Sequence, residues 1–406
     1  MVSTWMFSTG AALAALAGLA SLQTTAQKPS TVITLPVPSQ VEPFWPRPLP
    51  NHWLLGSVTG VAVDSRNHVW VVHRGAASLN ARTEMSAATD PKTAESCCIP
   101  APQVLHFDPA GNLVGSWGGP GQGYDWPQSP GGITVDGQRN VWIAAAGPGD
   151  PQPGARRGGR GATPSAPPPP DAHVLKFSPE GKFLLQIGKP GQAAGNNSTT
   201  ALHRPTAVDV DVAAKEVYVA DGMNNHRIVV FDSETGAYKR HWGAYGEKPG
   251  DSDPGSYDPA APPSKTFSLP SCVRLSRDGH VYVCDRRNNR IQVFRKDGTF
   301  VKEAFLAKET LGEGAVWDIA FSPAPTQRFV YVADGSNQKV WVLDRERLNV
   351  VTTVGAGGRG PGQFFGVGSV ATDSEGNLYT GETYEGKRVQ KFVLKSATNP
   401  DTKEQR

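Results

Sequence analysis

The chain has 406 residues, four cysteines and a net charge of +3 at neutral pH. This charge is too small to indicate a nucleic acid or an anionic surface as the partner. Glycine and proline are frequent, with 45 and 35 residues, and the apolar segments alternate with a period of two between D-G, E-G and P-G turns. The pattern predicts an all-β protein, and large all-β folds of this length commonly form one domain.

The first 26 residues are predicted to be a cleaved signal peptide. Residues 7–22 are apolar and rich in alanine and leucine, and small residues continue to Ala26. This run is shorter than the roughly 20 residues of a membrane span, so a retained anchor is the weaker alternative. We expect a secreted or periplasmic protein without a membrane span after cleavage. Residues 27–54 would form an N-terminal segment, 55–396 the folded domain and 397–406 a polar tail.

One sequence motif, which is typical of two strands joined by a loop, recurs along the chain. Each copy follows a short alternating strand that ends in a turn, and most copies precede a further strand. Six such units predict a six-bladed β-propeller with four-stranded antiparallel blades. The last unit lacks a clear fourth strand, and the early segment 30–39 is the candidate that supplies it. The copies are VWVVHRG (69–75), NVWIAAAG (140–147), VYVADGMNNHRIVVF (217–231), VYVCDRRNNRIQVF (281–294), VYVADGSNQKVWVL (330–343) and LYTGETYEGKRVQKF (378–392).

The cysteines fit an exported protein. A three-residue turn at 277–279 sets a hairpin register that places Cys272 opposite Cys284, close enough for a disulfide. Cys97 and Cys98 are adjacent in an insertion of the first blade. They can pair with each other, cross-link to the first pair or stay reduced, and the sequence does not choose among these pairings.

One end of the propeller is predicted to carry the binding pocket. If the strands of a blade are lettered A to D from the axis outward, the B–C loops and the residues just before strand A share one end. Both large insertions, 75–102 and 147–172, lie at this end, where a pocket is expected. The residues just before the six strands A are Thr59, Gly131, Thr206, Ser271, Trp317 and Gly368.

Two arginines break the pattern of the repeats at this end. The last position of strand B, called the acidic slot below, is occupied in four blades by Asp221, Asp285, Asp334 and Glu382. Its recurrence indicates a structural role. The next position is small or polar in most blades, but it is Arg74 in the first and Arg286 in the fourth. Two such arginines suggest a carboxylate-binding pair, and two solvated loop arginines are the alternative.

The repeated phrases, from about Leu55 to Leu394, resemble those of NHL-type, TolB-like propellers. Within that group, VWVVHRG and VCDRRNNRIQVF resemble the peptidyl-α-hydroxyglycine α-amidating lyase domain. That lyase cleaves peptidyl-α-hydroxyglycine to a peptide amide and glyoxylate, and it carries a zinc ion on three histidines. The resemblance implies that Arg74 and Arg286 hold substrate and stabilise charge. We expect His73, Met223 and Trp317 to join them in binding a ligand.

The rest of the lyase chemistry is not expected. The three zinc positions of the family correspond to Gly131, Ser271 and Gly368, and the catalytic tyrosine corresponds to Met223. A family aspartate that helps to hold calcium corresponds to Ser369. Glycine and serine are poor zinc ligands, and methionine cannot transfer a proton. No cofactor is therefore predicted.

The sequence predicts a secreted propeller that binds a small-molecule or peptide ligand, peptide-like or carboxylate-bearing, or a protein partner. The first alternative is an enzyme: a divergent amidating-lyase-like carbon–nitrogen lyase, or a hydrolase with a metal held by Glu382, Glu385 and Asp318. The second is a protein-interaction scaffold that works through the blade edges. A rebuilt metal site on His73, His173, His203 and His226 is disfavoured, because these histidines lie at unrelated depths in three blades.

Overall fold

Alternating apolar residues give the chain a series of short antiparallel strands. The computed structural model describes residues 38, 40–80, 82–84, 94–147 and 169–394. The predicted signal peptide, the polar tail and parts of both insertions lie outside these residues. The described part of the chain contains no helix with the length and hydropathy that a membrane crossing requires.

The first three blades follow one another along the chain. Strands β1 (Gln40–Val41) and β2 (Trp53–Leu54) precede them, and β2 pairs in parallel with β5 (Ile99–Pro100) outside the blades. Blade 1 contains β3 (Val58–Val63), β4 (Val69–His73), β6 (Val104–Phe107) and β7 (Leu113–Trp117). Blade 2 contains β8 (Pro130–Val135), β9 (Val141–Ala145), β10 (His173–Phe177) and β11 (Phe183–Gly188). Blade 3 contains β12 (Ala207–Asp211), β13 (Glu216–Asp221), β14 (Arg227–Asp232) and β15 (Tyr238–Trp242).

The last three blades repeat the same order. Blade 4 contains β16 (Pro270–Leu275), β17 (His280–Asp285), β18 (Arg290–Arg295) and β19 (Phe300–Phe305). Blade 5 contains β20 (Asp318–Phe321), β21 (Phe329–Asp334), β22 (Lys339–Asp344) and β23 (Val350–Val354). The short pair β24 (Ala356–Gly357) and β25 (Gln363–Phe364) leads to blade 6, which contains β26 (Val367–Thr372), β27 (Leu378–Glu382) and β28 (Arg388–Val393). The predicted six-bladed, all-β propeller is confirmed.

The fourth strand of blade 6 comes from the beginning of the described chain. Strand β1 pairs antiparallel with β28, with Gln40 opposite Val393 and Val41 opposite Phe392. The segment 30–39 that the sequence suggested for this role lies outside the described residues apart from Pro38. The strand observed in this position begins directly after that segment.

The core lies between neighbouring blades. The inner strands contact one another in the cyclic order β3, β8, β12, β16, β20 and β26, and β26 returns to β3. Trp70 of β4 packs with Ile133 of blade 2, and Trp142 of β9 packs with Val208 of blade 3. Both tryptophans are fully buried. Because each apolar face is covered by the next blade, the units fold as one cooperative ring.

The hairpin register predicted for blade 4 is confirmed. Cys272 lies opposite Cys284, and the two are joined by a disulfide with their Cα atoms 4.9 Å apart. Cys97 and Cys98 are joined to each other, which was one of the pairings that the sequence left open. The described residues contain no free cysteine.

Removing the Cys272–Cys284 disulfide is expected to lower the free energy of unfolding. The bridge closes a loop with a sequence separation of 12, and loops of about that length contribute roughly 3 kcal/mol by restricting the unfolded chain. Urea unfolding of C272A/C284A measures this loss. C97A/C98A is the matched control, because its bridge closes almost no loop. If both thiols at 272 and 284 of the oxidised native protein react freely with an alkylating reagent, the bridge is absent.

Candidate functional site

The end of the propeller at which the strands A begin opens into an axial cavity of about 680 Å³. All six residues that the sequence placed at this end line the cavity, which confirms the predicted face. Much of the wall is apolar, as in most sites for small molecules. Its apolar lining includes Val58, Pro130, Met223, Leu269, Trp317 and Phe365.

Arg74 and Arg286 line this cavity from opposite sides of the ring. Arg74 directly follows β4 in blade 1, and Arg286 follows β17 in blade 4, three blades away in the cyclic order. The backbone N–H of Arg74 donates to the carbonyl of Ser57 at 3.0 Å, and that of Arg286 donates to the carbonyl of Leu269 at 3.2 Å. These bonds tie each arginine to the residues before strand A of its own blade.

The guanidinium of Arg286 is held in a fixed position by two neighbours. Its Nε donates to the carbonyl of Glu313 at 2.8 Å, and its Nη2 donates to the carboxylate of Glu313 at 2.7 Å. Its Cζ lies 3.4 Å from the ring centroid of Trp317, a cation–π contact. Burial lowers the pKa of Arg286, and the Glu313 carboxylate acts in the opposite direction. The Glu313 carboxylate therefore partly offsets the charge of the Arg286 guanidinium from within the chain.

Glu313 was not predicted from the sequence, and the loop that carries it is specifically built. Gly314 adopts a φ of 73°, and a Cβ there would lie 2.0 Å from the carbonyl oxygen of Arg286, so only glycine permits this approach. The Asn289 side chain accepts from Ala315 N at 2.7 Å and donates to the Thr310 carbonyl at 2.7 Å. The Glu313 carboxylate also accepts from Arg287 at 3.0 Å. Among the described residues, three arginines and two glutamates line the cavity.

Tyr384 is a second cavity residue that the sequence analysis missed. It lines the cavity together with Arg286, and its ring meets that of Trp317 edge-on with centroids 6.0 Å apart. Tyr384 lies two positions after Glu382, whereas Met223 lies two positions after Asp221. The tyrosine of blade 6 thus occupies the slot that Met223 occupies in blade 3, on the opposite side of the ring.

The structure does not bring His73 to the cavity. His73 is fully buried, and its Nδ1 accepts from the backbone N–H groups of Gly56 and Gly75, both at 3.0 Å. Its Nε2 lies 2.8 Å from the carbonyl of Pro102. Burial lowers the pKa of His73 to about 4. His73 is the last residue of strand B in blade 1, as Asp285 is in blade 4. Like that aspartate, His73 accepts hydrogen bonds from backbone N–H groups of the loops.

The residue of the acidic slot is paired with a basic residue of strand C in three blades, and both side chains are fully buried in blades 3 and 4. Arg227 Nε lies 2.9 Å from Asp221, and Arg290 Nε lies 2.7 Å from Asp285. Arg388 Nε pairs with Glu382 at 2.5 Å. Blade 5 differs, because Asp334 accepts from the indole of Trp341 at 2.8 Å. Lys339 lies over that indole ring instead of pairing with the carboxylate.

The metal set that the sequence raised as an alternative is not assembled. Asp318 is buried and accepts from Arg274 at 2.8 Å, and Glu382 is paired with Arg388. Glu385 alone of the three lines the cavity, where it pairs with Lys387 at 3.2 Å. Among the described residues of the lining there is no histidine. His173, His203 and His226 lie elsewhere, and the backbone N–H of His203 donates to Asp221.

The three positions that correspond to family zinc ligands do line the cavity, but they do not fit a zinc ion. Gly131 and Gly368 have no side chain, and a Cβ at Gly131 would lie 2.8 Å from the carbonyl oxygen of Thr206. The hydroxyl of Ser271 lies 2.8 Å from the carbonyl of Trp317, to which it donates. Zinc sites are built from imidazole, thiolate and carboxylate groups, and none stands at these positions.

Comparisons with known proteins agree with the propeller and with its resemblance to amidating lyases. A model of the NHL repeat matches residues 267–294. Peptidyl-α-hydroxyglycine α-amidating lyase 1 of Drosophila melanogaster is 26% identical over 384 residues, which cover 88% of this chain and 60% of that protein. NHL repeat-containing protein 3 of Mus musculus is 26% identical over 265 residues, which cover 64% of this chain and 60% of that protein. The chain thus spans about three fifths of the length of these two curated relatives.

A relative named as a monooxygenase matches over a shorter range. Peptidylglycine α-amidating monooxygenase of Rattus norvegicus is 28% identical over 260 residues, which cover 63% of this chain and 22% of that protein. The sequence similarity therefore includes a protein named as a lyase, one named as a monooxygenase and one named only for its repeats.

Proposed function

We propose that this protein is a secreted or periplasmic propeller that binds a peptide-like small molecule through a terminal carboxylate. The observation that carries the proposal is that Arg74 and Arg286, from opposite blades, line one largely apolar cavity. A guanidinium binds a carboxylate through paired, charge-assisted hydrogen bonds. The apolar part of the ligand would pack against Trp317, Met223 and Leu269, which line the same cavity.

The size and polarity of the cavity support a small ligand. Its volume of about 680 Å³ lies within the range of roughly 300–1,000 Å³ that is usual for small-molecule sites. One relative is named for acting on peptidyl-α-hydroxyglycine, a molecule with a peptide chain and a terminal carboxylate. The two disulfides favour an oxidising compartment, as does the predicted signal peptide.

A matched pair of ligand series tests the proposal. N-acylated hydrophobic amino acids and short peptides are compared with their C-terminal amides, which differ only in the terminal charge. We expect the free acids to raise the thermal midpoint of the protein in proportion to log concentration, and the amides to act weakly or not at all. Equal stabilisation by acids and amides, or by neither, would refute carboxylate recognition.

Peptidyl-α-hydroxyglycine is expected not to be cleaved at an enzymatic rate. The positions of the family zinc ligands hold Gly131, Ser271 and Gly368, and the position of its catalytic tyrosine holds Met223. Glyoxylate release from a synthetic substrate should match the uncatalysed rate, with and without chelator. Release well above that rate and abolished by the chelator would contradict this expectation.

A metal-independent enzyme is a second candidate function, and Tyr384 is the observation that favours it. Tyr384 lines the cavity together with Arg286, and both side chains contact Trp317. A phenol can donate or accept a proton beside a cation. Turnover of any peptidyl ligand that survives chelation and disappears in Y384F would support this candidate. Unchanged turnover in Y384F would exclude Tyr384 as the proton-transfer group.

A further inference from the structure

At the end of the propeller opposite the cavity, blades 1, 2 and 6 share a turn built around an aspartate. One carboxylate oxygen accepts two backbone N–H groups of the turn between strands A and B. In blade 2, for example, Asp136 accepts from Gln138 N at 2.9 Å and from Asn140 N at 2.8 Å. The second oxygen accepts from the first aromatic residue of strand B. These donors are Trp70 Nε1 to Asp64 at 3.3 Å, Trp142 Nε1 to Asp136 at 3.0 Å and Tyr379 Oη to Asp373 at 3.0 Å.

Blades 2 and 6 complete this turn with the same two residue types. The residue four positions after the aspartate is an asparagine whose amide donates to the second oxygen, at 3.0 Å for Asn140 and 2.7 Å for Asn377. On strand C, a lysine lies opposite the aromatic residue with its Nζ over the ring, at 4.9 Å for Lys176 and 5.9 Å for Lys391. In blades 2 and 6, this turn is therefore stabilised by an aspartate, an asparagine, an aromatic residue and a lysine.

Blade 1 replaces both residue types with histidine. His68 stands where the asparagines stand, and His106 lies opposite Trp70 where the lysines lie. The His68 Nδ1 and His106 Nε2 atoms are 2.8 Å apart. The His106 ring stacks on Trp70 with centroids 3.8 Å apart and planes at 12°, which fixes its orientation. Two changes in one blade thus bring two imidazoles together beside a carboxylate.

We propose that Asp64, His68 and His106 form a binding site for a divalent transition-metal ion at this end of blade 1. One ligand atom of each residue lies within 4.8 Å of the others. Asp64 and His106 are buried, so two of the three ligands are already held by the fold. Two imidazole nitrogens and one carboxylate oxygen suit Zn²⁺, Co²⁺, Ni²⁺ or Cu²⁺ better than Ca²⁺ or Mg²⁺. Solvent would complete the coordination on the exposed side of His68.

The geometry requires a small adjustment. At zinc–nitrogen distances of about 2.0–2.1 Å and tetrahedral angles, two imidazole nitrogens lie roughly 3.3 Å apart, which is about 0.5 Å more than in this structure. Rotation of the partly exposed His68 ring supplies that distance, whereas the stacked ring of His106 stays in place. The shared hydrogen bond between the two rings would then be replaced by two bonds to the metal.

One neighbouring cation works against the metal. Arg139, from the corresponding turn of blade 2, has its Nε 3.7 Å from Asp64. Arg139 has a φ of 67°, and the equivalent position of blade 1 is Asn67 with a φ of 61°. Asparagine therefore fits this backbone conformation, and R139N removes the competing charge without changing the turn.

Titration of the untagged, chelator-treated full-length protein with Co²⁺ and Zn²⁺ tests the proposal, with d–d absorption and calorimetry as readouts. We expect one ion per chain, and at least roughly tenfold weaker binding in H68N and in H106K, since each variant loses one of three protein ligands. These two variants reproduce the residues of blades 2 and 6, so the propeller should fold. R139N is expected to bind about two- to tenfold more tightly, because a nearby positive charge is removed.

Absence of binding, or binding that is unchanged in H68N and H106K, would overturn the proposal. If a histidine variant fails to fold, the R139N comparison still decides, because unaltered or weakened binding in R139N contradicts a metal beside Asp64. Metal bound in the axial cavity would be insensitive to all three changes, which separates the two ends of the propeller.

Discussion

Replacement of Arg290 by alanine is expected to lower the free energy of unfolding by about 3–5 kcal/mol, the usual cost of removing one partner of a buried ion pair. Arg290 and Asp285 both have fully buried side chains, with Nε and Oδ2 2.7 Å apart. Arg290 also donates to Tyr245 at 2.7 Å. The truncation leaves the Asp285 carboxylate without its cation, and it leaves a cavity where the arginine stem was packed. Urea unfolding followed by tryptophan fluorescence measures the effect.

An exposed ion pair provides the matched control for Arg290. Lys215 and Glu234 are 3.0 Å apart, and their side chains are 59% and 54% exposed. K215A should leave the unfolding midpoint unchanged, because exposed pairs contribute little to stability. If R290A and K215A have the same unfolding curve, then the buried pair does not stabilise blade 4 and the structural reading of the acidic slot is wrong.

The sequence predicted the ring, the end that carries the cavity and the cysteine register because each depends on local periodicity. Period-two strands and their turns fix which residues face the next blade, and a known turn length fixes the pairing of Cys272 with Cys284. The same alignment of repeats identified Arg74 and Arg286 as exceptions. It also contained the evidence against His73, which stands in the acidic slot and accepts backbone N–H groups as Asp285 does.

Glu313 could not be found in this way. It lies in the connection from blade 4 to blade 5, and the equivalent connections of the other blades differ from it in sequence, so no alignment shows it as an exception. Its position depends on the φ of Gly314 and on two hydrogen bonds of Asn289, which only the folded chain reveals. Tyr384 was accessible to the alignment, because it occupies the slot of Met223, but a comparison between opposite blades was needed to see it.

Arg74 and Arg286 are expected to act together on the carboxylate of one ligand. A hydrogen bond to a charged group contributes about 1.5–3 kcal/mol, so R74A and R286A should each weaken binding of the best free acid by roughly one to two decades, at 1.4 kcal/mol per decade. Because residues that share a partner couple, the loss in the double variant should differ from the sum of the single losses. Isothermal titration of the acid and its amide with each variant measures the coupling. R347A replaces an exposed arginine outside the cavity lining and therefore controls for the change in net charge.

The carboxylate of Glu313 determines whether the substitution E313Q should strengthen or weaken binding of the free acid. Glu313 holds Arg286 at 2.7 Å and Arg287 at 3.0 Å, so a ligand carboxylate must share or displace these contacts. E313Q removes the competing charge but keeps the side-chain volume and the backbone bond from Arg286, so it should bind the acid more tightly while the amide is unaffected. The opposite result, weaker binding of the acid in E313Q, would show that Glu313 orients Arg286 for the ligand instead of competing with it. An acid whose affinity is the same in wild type, R74A and R286A would show that the two arginines are ordinary loop residues.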